Sequence, residues 1–80
     1  MTAEQLRQHI ENGLPGARAV VRSDDNVHFE ALVVAAQFAG QRTLKRHQLV
    51  YATLGGAMGG EVHALSLETL TPEEASARAG

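Results

Sequence analysis

"ARAVVRSDDNVHFEALVVAA", residues 17–36, decides the fold. Its first arm alternates Ala17, Ala19 and Val21 with Arg18, Val20 and Arg22, the period of two that a half-buried strand requires. Asp24-Asp25-Asn26 then supplies a turn, because short carboxylate and amide side chains tolerate left-handed backbone. In the second arm Phe29, Ala31 and Val33 share one face, and His28, Glu30, Leu32 and Val34 share the other. The stretch predicts an antiparallel hairpin.

On its N-terminal side, "TAEQLRQHIENGLPG" predicts a helix. Thr2 is the N-cap, with Glu4 or Gln5 in the first turn, and Leu6, Ile10 and Leu14 recur on one stripe. Gly13 and Pro15-Gly16 stop it. On the C-terminal side, "QFAGQR" is a break. "TLKRHQLVYATLGGAM" then predicts a second helix whose inner stripe is Leu44, Tyr51, Leu54 and Met58, widened by His47 and Val50 and ended by Gly59-Gly60. "EVHALSLETL" predicts a third strand, with Val62 and Ala64 turned toward the helices. "TPEEASARAG" predicts a short terminal helix with Thr71 as N-cap and Pro72 at its first position.

A strand that returns to the next strand through a helix favours a right-handed crossover and a parallel pair. The expected architecture is therefore α/β (α+β): a small three-stranded mixed sheet with helices on one face, forming one domain over residues 1–80. In that topology His28 and His63 fall at the same end of the sheet, although far apart in sequence.

Composition narrows the functions. Eighty residues allow one modest core, built mainly from Leu, Val and Ala because Trp is absent. A net charge of −2 gives no chain-wide attraction to nucleic acid. Without cysteine there is neither a disulfide nor a thiolate metal site. No stretch has the ~20 apolar residues of a membrane span, and the N-terminus lacks the basic and apolar regions of a signal peptide, so a cytoplasmic protein is expected. No Ser or Thr stands in a nucleophile elbow and no Gly-rich loop forms a phosphate cradle, so no enzyme is expected. "GGAMGG" has a G-x-x-G spacing without an adjacent Lys or Arg, a weak nucleic-acid clamp.

The histidines carry the remaining chemistry. His9 reads as a solvated position on the first helix and His47 as a packing residue. His63 has two open readings: a strand histidine satisfied by backbone or water, or a metal ligand. Glu61 lies two residues from His63 and Glu30 two residues from His28, so each ring has a same-face carboxylate able to fix its tautomer. Two nitrogens do not close a tetrahedral site, so any metal centre here would be completed by a second molecule. Arg42, Lys45 and Arg46 form a basic cluster that is either a solvated face or a docking patch.

"HFEALVVAAQFAG", "LKRHQLVYATL", "VHALSL" and "LTPEE" together resemble the successive motifs of the BolA-like proteins. The short hairpin loop is similar to that of the compact, YrbA-type bacterial members. The resemblance implies a fold akin to the type II KH domain. It also implies a [2Fe–2S] cluster shared with a monothiol glutaredoxin that contributes a cysteine and bound glutathione. His63, in the V-H-A motif, is then a cluster ligand, and His28 is the candidate for the second. Alone, the chain is expected to be a monomer or weak homodimer without cofactor. The family's link to transcription makes DNA the alternative partner, through Arg42, Lys45 and Arg46, with Arg18 and Arg22 as further candidates. In relatives the "GGAMGG" segment is usually more acidic and more helical.

Overall fold

The computed structural model describes residues 1–55 and 64–79. Helix α1 spans Ala3–Gly13 and opens with a capping box: the Gln5 amide donates to Thr2 Oγ1 (3.1 Å) and the Thr2 amide to Gln5 Oε1 (2.8 Å). Strands β1 (Arg18–Arg22) and β2 (His28–Val34) form the hairpin. A 3₁₀ turn, Ala36–Phe38, leads to α2 (Thr43–Leu54), then β3 (Ala64–Leu70) and α3 (Pro72–Ala79). Thr71 caps α3: its Oγ1 accepts from the Glu74 amide (3.1 Å), and its own amide donates to Glu74 Oε1 (2.8 Å).

The sheet order is β1-β2-β3, with β1 antiparallel and β3 parallel to β2, as the sequence predicts. Phe29, Ala31 and Val33 face the helices, and their register partners on β3 are Leu65, Leu67 and Thr69. Phe38, Leu6, Ile10, Val33 and Val50 are the largest fully buried side chains; burying such a side chain contributes roughly 1.5–3 kcal/mol. The opposite face of the sheet carries Val20, Leu32 and Val34 among charged neighbours, with Val20 exposed.

Three expectations are corrected. Ala64 is not on the helix face: it is exposed and in register with His28. The inner stripe of α2 is Val50 and Leu54, with Arg46, His47, Leu49 and Thr53 half-buried beside them; Leu44 and Tyr51 are exposed. At about 100° per residue, Leu44 and Tyr51 sit a quarter turn or more from Val50, and the room inside is taken by the long stem of Arg46. The described helix ends at Leu54, where Gly55 takes φ 57°, and not at Gly59-Gly60, which with Met58 lies outside the described residues. The "QFAGQR" break is also more than a break, since Phe38 within it is completely buried.

A candidate metal-ligand site at one end of the sheet

The hairpin turn is built on two short polar side chains. Ser23 Oγ donates to the His28 carbonyl (2.6 Å) and accepts from the Asn26 amide (2.9 Å). Asp25 Oδ1 accepts from the amides of Val27 and His28, both at 2.9 Å. Asn26 takes the left-handed backbone, φ 59°, that the sequence anticipates for this turn.

Asp25 Oδ2 stands 2.8 Å from Nδ1 of His28, and the His28 side chain is otherwise open to solvent at 69% exposure. The backbone amide of His28, the His28 ring and the Val27 amide together hold the Asp25 carboxyl far below the usual carboxylate range. Glu30, expected to orient His28, instead faces Arg22 across the hairpin at 3.8 Å. The carboxylate beside the ring comes from the turn, three residues back, because the turn's own hydrogen bonds deliver it there.

His28 lines a shallow depression of about 560 Å³ together with Arg22, Asp25, Glu30, Ala64 and Ser66. Ala64, directly across from His28, contributes only a methyl group and leaves that space open. His63, next in sequence to Ala64, lies outside the described residues together with Glu61 and Val62. Among the described residues no group of three or more His, Cys, Asp or Glu is arranged to hold a metal ion. Among the described residues this end of the sheet offers one imidazole donor, which closes no metal site by itself.

The basic cluster divides. Arg42 and Lys45 are exposed and, among the described residues, in no ion pair. Arg46 is turned inward. Its Nε donates to the Gln41 carbonyl (2.9 Å) and its Nη1 to the Thr69 carbonyl (3.2 Å) and Glu74 Oε1 (2.7 Å). The guanidinium also lies 5.9 Å from the centre of the Phe38 ring. The expectation that all three cations stand clear of the fold is therefore corrected for Arg46, which joins α2, the 3₁₀ turn, β3 and α3. His9 is solvated as expected, and His47 is half-buried with its ring edge-on to Tyr51 at 6.4 Å. No helix among the described residues is long and apolar enough to cross a membrane.

The model of the BolA-like protein family matches residues 5–74. The DNA-binding transcriptional regulator BolA of Escherichia coli K12 is 43% identical over 47 residues, covering 59% of this chain and 45% of that protein. A protein from the rpoN-murA intergenic region of Acinetobacter guillouiae is 37% identical over 75 residues, covering 92% of this chain and 89% of that one. The structure of a BolA protein homologue from Coxiella burnetii superposes with a TM-score of 0.85 at 45% identity, covering 95% of this chain and 97% of that chain. The chain belongs to the BolA-like family. The matched stretch is less than half the length of the E. coli regulator and of the BolA-like proteins from human and Arabidopsis.

Proposed function

We propose that this chain is a non-enzymatic, cytoplasmic adaptor that pairs with a monothiol glutaredoxin and shares a [2Fe–2S] cluster with it, in iron–sulfur trafficking and iron homeostasis. The observation that carries this reading is His28: an exposed imidazole at the end of a parallel strand pair, its ring held by a carboxylate, in register with the residue after His63. A [2Fe–2S] cluster takes four ligand donors, and two histidines can stand in for two thiolates. His28 and His63 supply the imidazoles; a chain with no cysteine takes its thiolates from a partner cysteine and a bound glutathione.

The test is anaerobic co-purification with a monothiol glutaredoxin, read by visible circular dichroism. The mixed complex gives a spectrum distinct from that of the glutaredoxin homodimer. His63→Ala abolishes or shortens the life of that species, and His28→Ala weakens it less completely. A mixed complex with the parent's spectrum and lifetime in His63→Ala sinks the assignment.

A second reading, DNA binding, is favoured by the name of the E. coli relative and by the exposed Arg42 and Lys45 at the start of α2, where no side chain caps the helix. Two phosphate contacts give a log–log salt slope of about −1.8 on duplex DNA. Absence of salt-dependent binding to duplex DNA rules this reading out, and binding that survives Arg42→Ala with Lys45→Ala rules out this pair as its contact.

A further inference from the structure

We propose that Asp25 is a positioning residue for His28, fixing its imidazole as the Nδ1–H tautomer so that the Nε2 lone pair is the donor presented at the end of the sheet. The inference rests on the reading of His28 as a ligand and deepens it.

The geometry is over-determined. Two backbone amides, from Val27 and His28, clamp Asp25 Oδ1, so the carboxylate cannot swing away without breaking the turn. That leaves Oδ2 2.8 Å from Nδ1. A carboxylate accepts and does not donate, so the ring nitrogen beside it carries the proton, and in a neutral imidazole the other nitrogen is then the acceptor. The other same-face carboxylate, Glu30, stands nearest Arg22, at 3.8 Å, and makes no hydrogen bond to the His28 ring. Carboxylate–histidine–metal triads use this arrangement to set ring orientation and raise ligand basicity. The ligand class is an iron or similar borderline metal that takes imidazole nitrogen.

Asp25→Asn separates positioning from folding. Its side-chain oxygen still accepts from the Val27 and His28 amides, so the turn holds. Its NH₂ group then takes the place of Oδ2 and donates to Nδ1, which forces the opposite tautomer. Long-range ¹H–¹⁵N correlation spectra of the metal-free protein at mildly alkaline pH read this directly. The expected result is Nδ1–H in the parent and Nε2–H in Asp25→Asn. A parent already in the Nε2–H form, or an Asp25→Asn protein that keeps Nδ1–H, overturns the proposal. In the glutaredoxin complex, Asp25→Asn should shorten cluster lifetime by about 10-fold or more, the scale on which lost orienting partners act. An unchanged lifetime in Asp25→Asn overturns the link to ligation. An unchanged lifetime in His28→Ala overturns the ligand reading itself, and the tautomer spectra still decide what Asp25 does.

Discussion

At the scale of single residues, Arg46 and its two basic neighbours show how differently one charge type is used. Arg42 and Lys45 end in water, where substitutions usually move stability by within about 0.5 kcal/mol. Arg46 donates to two backbone carbonyls and a carboxylate with its side chain only 13% exposed. Arg46→Ala leaves the carbonyls of Gln41 and Thr69 without that donor and uncovers Phe38, a loss of about 1–3 kcal/mol. Chemical denaturation of the three single Ala variants checks this: Arg46→Ala should shift clearly and the other two should not. A shared small effect would mean that Arg46 is solvated like its neighbours. Nothing in "LKRHQ" separates the three cations, because the partners of Arg46 come from residues far along the chain. The Asp25–His28 contact was missed for the opposite reason. Counting by twos selects Glu30, whereas the side-chain hydrogen bonds of a five-residue turn bring Asp25 nearer.

Among the elements, the hairpin and α1 were legible because each is specified locally, by alternation and by a cap. The orientation of α2 was not, since its stripe is part apolar and part the stem of an arginine, and an apolar count passes over the latter. Gly13 is a related case. Read as a stop signal, it is the last residue of α1, and a Cβ there would come within 2.6 Å of Thr53 Cγ2 on α2. Thr53 is β-branched and its hydroxyl donates to the Val50 carbonyl (2.6 Å), so it has little room to turn aside. Helix propensity alone would make Gly13→Ala stabilising by up to about 1 kcal/mol. The close approach of the two helices reverses that sign, and the thermal midpoint of Gly13→Ala should fall. The new Cβ would also stand 2.7 Å from Thr53 Cβ, an atom that Thr53→Ala and Thr53→Ser both keep, so neither should restore the loss; a rise in the single variant would show that the helices separate freely.

Over the whole molecule, several carboxylates are tied to the fold and set its acid response. Glu11 Oε2 accepts from the Ala19 amide on edge strand β1 (2.9 Å), and Arg7 bridges Glu11 to Glu4. The Ala19 amide, chiefly, holds Glu11 below its ordinary value; Arg46 does the same for Glu74, and the His28 amide for Asp25. Each of these groups is more acidic folded than unfolded. Their stabilisation is therefore complete above the unfolded values and is lost as pH falls through the folded ones. The urea midpoint should hold level near neutrality and drop as pH falls below about 4.5, the ordinary glutamate value. Glu11→Gln and Glu74→Gln should flatten that drop, and a drop of unchanged size in both would assign acid lability elsewhere. The topology itself was legible, because a tight turn followed by a helical return leaves few ways to order three strands.

The pairing of β2 with β3 joins stretches separated by the whole of α2 and its flanks, whereas β1 and β2 meet across a five-residue turn. His28 belongs to the hairpin, and Ala64 across from it belongs to the distant partner strand. Opening of β3 would part the two halves of the sheet end. Ser23 and Asp25 stay beside His28 through the turn alone, whereas Ala64 stands across from it only while the pairing of β2 with β3 is closed. One wall of the depression is thus built locally by the turn, and the wall facing it depends on a strand from far along the chain.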